Sequence, residues 1–217
     1  VSPIVSHLSG PFNVSNAQAG QLITAFVAPS IVLVPVMGVL ADRIGRKPVI
    51  VAGLVVFGIA GVCIGLTTSF TVVLGLRAIQ GIGYAAIIPI GTALIGDLYT
   101  GSREATAQGL RVSSIQLTNV VSPPLAGALV FLSWRSPFFL YSLAFAVAIM
   151  AWRELPETDT KQLTLGTYVR DLVDLISDPV LASVLFSFVI RFVLTFTFYA
   201  YVSVLLSRTV GASTTTA

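Results

Sequence analysis

The sequence predicts an all-α polytopic membrane protein with six transmembrane helices. Three observations lead there. Apolar residues make up 55% of the chain and charged residues 10%, with a mean hydropathy of +0.94. The apolar residues run in stretches of about twenty, the length of helix that crosses a hydrocarbon core. Between the stretches, Lys and Arg gather on alternate sides. A soluble domain would alternate polar and apolar faces, whereas Val49–Leu66 and Pro137–Ala151 are apolar all round and hold no charge.

Breaks at charge clusters and at Pro or Gly turns set the six spans. The first, Gly20–Leu40, closes on the charged knot Asp42, Arg43, Arg46 and Lys47, where Gly45 allows a tight turn. The second, Pro48–Leu66, opens on a proline that wastes no amide donor there. Phe70–Ile95 ends before Asp97, and Glu104–Leu132 starts beyond Arg103. The fifth, Pro137–Trp152, is bracketed by Trp134 and Trp152, about 27 Å apart on a helix, which suits interface anchors at both membrane surfaces. The sixth is Val180–Leu206. Pro29, Pro35, Pro89, Pro123 and Pro124 lie inside spans, where neighbouring helices must satisfy the freed carbonyls.

Arg43, Arg46, Lys47, Arg103, Arg153, Lys161 and Arg170 then share one side, with Arg135 and Arg208 opposite. The richer side is expected to be cytoplasmic, which leaves both ends of the chain outside. Between Arg153 and Asp178, Leu165, Val169, Leu172, Val173 and Ile176 recur at helical spacing opposite Arg170, Asp171 and Asp174. The pattern fits an amphipathic helix lying on the cytoplasmic face; a short soluble linker is the alternative. A faint repeat pairs VSPIVS at the start with VSVLLS at Val202–Ser207, and VSNAQA at Val14–Ala19 with GASTTTA at Gly211–Ala217. The chain begins within an apolar phrase and without Met, and is expected to be a fragment.

Other classes find little footing. The net charge of +3 is spread over loops, without the basic run that nucleic acid would require. Cys63 is single and lies mid-span, as a packing residue would. His7 stands alone in an outer loop, no metal-ligand cluster accompanies it, and no constellation for enzyme catalysis lies inside the spans. Gly81-x-Gly83-x-x-Ala86 mimics a dinucleotide fingerprint but follows no strand. No cofactor and no metal are expected.

The run Gly38-Val-Leu-Ala-Asp42-Arg43-Ile-Gly45-Arg46-Lys47 resembles the signature G-x-L-a-D-r-x-G-r-k of the major facilitator superfamily, between that family's helices II and III. Arg77-Ala-Ile-Gln80-Gly81 resembles its helix IV motif, and Asp97–Arg103 its following loop. The helix V antiporter motif is matched in part, by Gly109, Ser122-Pro123 and Gly127; Thr118, Ser122 and Ala126 stand where that motif has glycine. The resemblance covers the whole chain. It implies an incomplete 6+6 fold: 1–152 as a six-helix bundle lacking most of helix I, 153–178 as linker, and 179–217 as helix VII with the start of the next outer loop.

The resemblance also implies a secondary transporter with a small-molecule substrate near the midplane, between this bundle and a second one absent from the chain. Gly38, Asp42, Arg43, Gly45, Arg46, Lys47, Asp97 and Arg103 are candidates for a cytoplasmic charge network that latches one conformation. Arg77, Gln80 and Tyr84 share one helix face, and a charge inside a span points to function. With Arg111, Gln116 and Asn119 in the fourth span and Arg191, Thr195 and Tyr199 in the last, they are candidates for the substrate or proton pathway. For the hydroxyls aligned with Arg111 (Ser114, Thr118, Ser122), interhelical hydrogen bonding is the alternative. Gly81, Gly109, Ser122, Pro123 and Gly127 are the candidate packing positions. Asp42, Asp97, Glu104 and Asp178 all sit at span ends, so a proton-binding carboxylate would lie in the missing helices. Proton-coupled efflux of a drug or metabolite is the leading expectation. An uptake symporter or uniporter and a non-transporting sensor or scaffold are the alternatives.

Overall fold

The computed structural model of the chain describes residues 16–157, with side chains from 21 onward, and beyond them residues 166, 170, 177–184, 186, 187, 190, 191 and 194. His7, the side chains of the repeat matches, Leu165, Val169, Leu172, Val173, Ile176, Thr195 and Tyr199 lie outside the described residues. The chain divides into two compact units, Val1–Leu163 and Thr164–Ala217.

Every regular element described is helical. In the first unit these are α1 (Asn16–Ile44), α2 (Arg46–Leu66), α3 (Phe70–Leu98), α4 (Ser102–Val130), α5 (Ser136–Phe139), a 3-10 turn (Leu140–Ser142) and α6 (Leu143–Glu154). Gln21–Ile44, Arg46–Leu66, Phe70–Leu98 and Ser136–Glu154 are long and apolar enough to cross a membrane. The 21 residues of α2 rise about 31 Å, one bilayer core. The 29 residues of each of α1, α3 and α4 rise about 43 Å, so these helices tilt or project into water.

This extra length changes the reading of the Gly38–Lys47 run. Asp42 and Arg43 belong to the last turn of α1 and Asp97 to the last turn of α3, because helical hydrogen bonding continues past the first charge. What stops α1 is Gly45, whose φ of 96° is open to glycine and strained for other residues. Arg46 already starts α2, so one residue makes the whole connection.

Helix α3 is the axis of the unit: α1 and α2 both lie along it, and α6 packs on α2. Glycines let the backbones meet. A Cβ on Gly81 would stand 2.1 Å from the Phe26 carbonyl oxygen of α1, and one on Gly83 would stand 2.7 Å from the Gly53 oxygen of α2. Along α2, Gly58, Gly61 and Gly65 seat Phe145, Tyr141 and Phe138 in turn. The fifth expected span, Pro137–Trp152, is not one continuous α-helix: the 3-10 turn interrupts it where Tyr141 enters the Gly61 notch. Two apolar cores result, one around Val49, Leu54, Ile90 and Ala148, the other around Leu22, Ile64, Val73 and Phe138.

Helix α4 is different. Ala126 is its one buried residue, and it carries Arg103, Glu104, Gln108, Arg111, Gln116 and Asn119 among its apolar positions. In the second unit, Asp178 caps a helix start: its Oδ1 accepts from the Val180 amide at 2.8 Å.

Candidate functional site

Two groupings of polar side chains stand out in the first unit. The first lies where α1 turns into α2 and α3 ends. The Arg46 guanidinium donates from Nη2 to Asp97 Oδ1 at 3.2 Å, and its Nε meets Asp97 Oδ2, a two-pronged contact between α2 and α3. Its Nη2 also stands 3.7 Å from Asp42 Oδ1, at the end of α1. One cation therefore joins three helix ends. The side chains of Arg46, Asp42 and Asp97 are 17%, 21% and 38% exposed, so water screens the cluster and each pair contributes about 1 kcal/mol or less.

Lys47, the next residue, places its Nζ 5.3 Å from the centre of the Trp152 ring and so ties α2 to the end of α6. Gly38 is half-buried one turn before Asp42, and Arg43 is exposed. Arg103, grouped with this network by its side of the membrane, is exposed in the first turn of α4.

The second grouping lies within the bundle. Arg77 is 6% exposed and Gln80 fully buried, and Arg77 Nη1 donates to Gln80 Oε1 at 2.9 Å. That amide oxygen is neutral. Among the described residues, Arg77 Nε and Gln80 Nε2 are buried without a hydrogen-bond partner. Arg77 lines a cavity of about 560 Å³ whose other walls come from α4, at Thr118, Ser122 and Pro123 among others, and from α5 and the 3-10 turn. Tyr84, placed on the same face from spacing, is partly exposed and stacks instead in an aromatic row across the helices: its ring centre is 5.2 Å from Phe26 and 6.5 Å from Phe57, which is 5.4 Å from Tyr141.

The α4 candidates split. Arg111 Nε donates to Gln108 Oε1 at 2.9 Å, and Gln108 Nε2 donates to the Thr92 carbonyl of α3 at 3.0 Å. Asn119 and Gln116 contact each other at 3.4 Å and are exposed. The hydroxyls of Ser114, Thr118 and Ser122 donate to carbonyls one turn back, on Leu110, Ser114 and Thr118, so here they serve their own helix and not a neighbour. A Cβ at Gly109 or Gly127 would meet no atom within 4 Å. In the second unit Arg191 is exposed. Among the described residues no three His, Cys, Asp or Glu gather as metal ligands.

Reading the sequence missed Gln108, the Lys47–Trp152 contact and the Gly58, Gly61, Gly65 notches. Only the last had a signal, glycines spaced three and four apart on one helix.

Comparison with known proteins adds a lineage to this geometry. The family model described as "Major Facilitator Superfamily" matches residues 1–217. The chain is similar to the Multidrug transporter protein MdtP of Bacillus subtilis (strain 168), with 36% identity over 120 residues, 55% of this chain and 22% of the relative. It is similar to Multidrug resistance protein 2 of the same organism, with 26% identity over 209 residues, 94% of this chain and 52% of that one. A Chloramphenicol resistance protein of Pseudomonas aeruginosa is 36% identical over 130 residues, 58% of this chain and 31% of the relative. The chain thus spans about half or less of the length of these relatives.

Proposed function

The chain belongs to the Major Facilitator Superfamily, and from that premise we propose that it is the first bundle, with the start of the second, of a secondary transporter that exports a small organic solute by alternating access. Residues 1–152 form the first bundle in this reading, 153–178 the cytoplasmic linker, and 179–217 the opening of a second bundle carried by the rest of the protein. Both ends of the chain face outward. Protons are the candidate coupling ion, and the lipid bilayer is the solvent of the spans. The relatives named for multidrug transport and drug resistance support export over uptake.

One observation carries the mechanism: Arg46 holds carboxylates from α1 and α3 together. An ion cluster at three helix ends favours the conformation in which those ends are close. At the exposures found, it biases that state by about 1–2 kcal/mol, a population factor of about 5–30. Arg77, Gln80, Arg111, Arg191, Thr195 and Tyr199 are proposed along the solute or proton route.

The test is flux. Full-length protein in sealed vesicles, energised by a proton gradient, is expected to move ethidium against its gradient, and a protonophore is expected to abolish that movement. Asp42→Asn should slow transport and change cysteine cross-linking between the ends of α1 and α3. Ethidium movement no faster than in protein-free vesicles favours the sensor or scaffold reading, and an Asp42→Asn protein that transports and cross-links like the parent removes the latch.

A further inference from the structure

Helix α3 is divided by Pro89, which brings no amide to the Ala85 carbonyl and so puts a joint in the rod. The piece beyond it, residues 90–98, is about 13 Å long and is gripped on two sides. On one side Arg46 of α2 holds Asp97. On the other, the Gln108 amide of α4 donates to the Thr92 carbonyl at 3.0 Å. The Thr92 hydroxyl donates to the Ile88 carbonyl at 3.0 Å, across the proline. One turn before Gln108, Glu104 lies over Gly96, where a Cβ would stand 3.4 Å from Glu104 Oε1. Thr92 and Gly96 of α3 thus face Gln108 and Glu104 of α4, beside the Asp97 that Arg46 grips.

The short connection 99–101 sets where α4 starts but not how it tilts, since Gly101, with a φ of 60°, occupies a backbone state open to glycine. Gln108 acts about 9 Å further along α4, far enough to fix that tilt. Arg111 orients the contact: its Nε donates to Gln108 Oε1 at 2.9 Å, which turns the amide nitrogen, the donor, to Thr92.

We propose that Gln108 is a positioning residue for the conformational change: through Thr92 it makes the tilt of α4 follow the state of the Arg46 cluster. With Asp97 gripped, residues 90–98 are fixed and α4 is drawn to them. With Asp97 released, they swing at Pro89 and take α4 along. The inference rests on the reading of that cluster as a latch, and its test reports on the two separately.

Full-length protein, freed of its native cysteines including Cys63, carries spin labels on pairs of introduced cysteines, and pulsed electron paramagnetic resonance gives the distance distributions. One pair replaces Ile44 and Tyr99, comparing the α1–α2 join with the end of α3. The other replaces Ile44 and Leu110. Leu110 is 66% exposed and about 200° round α4 from Gln108, so its label leaves the Thr92 bond in place. Asp97→Asn is expected to change the ratio of long to short distances about fivefold in both pairs. In Gln108→Ala it should still act about fivefold on 44–99, but less than about twofold on 44–110. Gln108→Glu, which accepts from Arg111 and has no donor for Thr92 at neutral pH, should uncouple α4 as the alanine does. A 44–110 ratio that fails to respond in the parent, or responds equally without Gln108, overturns the inference and leaves the latch standing. So does a Gln108→Glu protein that stays coupled. A 44–99 distribution unchanged by Asp97→Asn removes the latch and this coupling with it. Should Gln108→Ala fail to fold, Gln108→Glu is judged by the same ratios.

Discussion

At the scale of single residues, two glycines of like appearance carry opposite weight. Gly81 lies where α3 crosses α1, and a methyl group there would stand 2.1 Å from the Phe26 oxygen, far inside contact distance with backbone that cannot swing away. Gly127 on α4 meets open space. Gly81→Ala is therefore expected to destabilise the protein by about 1–3 kcal/mol, whereas Gly127→Ala should leave stability unchanged or raise it by up to about 1 kcal/mol through helix propensity. Surfactant-induced unfolding of the two variants, followed by circular dichroism, measures the contrast. Nothing in the sequence separates them, since both occupy apolar phrases and both match a family motif. Only the position of another helix's backbone distinguishes them. Arg77 and Gln80 were legible as a pair because three residues of helix bring side chains onto one face. Tyr84, one turn on, was assigned to the same face but joins the aromatic row, since its ring finds Phe26 and Phe57 on neighbouring helices.

At the scale of elements, α4 is joined to its neighbour by a polar link. It buries Ala126 alone and is tied to α3 by Gln108, whose amide reaches the Thr92 carbonyl while accepting from Arg111. Gln108→Ala removes both bonds, and a loss of about 1 kcal/mol should let the start of α4 open about five times as often. Trypsin cleavage after Arg103, exposed in that first turn, is the readout; an unchanged cleavage rate would mean that α4 is held elsewhere. Helix existence was readable from hydrophobic runs because lipid demands them. Helix ends were not, since the first charge marks the approach to water while backbone hydrogen bonding continues to Gly45, or to Tyr99 after α3. The break at Leu140–Ser142 carries no local signal either, for it depends on Tyr141 meeting the Gly61 notch of a different helix. Gln108 reads in sequence as one more polar residue near a loop.

At the scale of the whole molecule, the alternation of the helices puts Arg43 and Arg103 at one end of the first unit and Arg135, beside Trp134, at the other. Single cysteines at 43 and 103 in the intact protein are expected to react with a membrane-impermeant maleimide from one side of the membrane, and a cysteine at 135 from the other. Labelling of all three from the same side would undo the proposed six-span topology and every functional assignment built on it. The charge pattern predicts this sidedness, because an excess of Lys and Arg in alternate connections follows the direction of each crossing.

The one-residue join at Gly45 bears on how such a bundle moves. With no slack between Ile44 and Arg46, the first two rods cannot slide past each other lengthwise; any relative motion must be a swivel at that single knuckle. Whatever force tips one rod is handed to the next with little loss, and through the grip of Arg46 on Asp97 it reaches a third. A bulkier residue at this joint would set the hinge stiff or misaligned, even though it touches no solute.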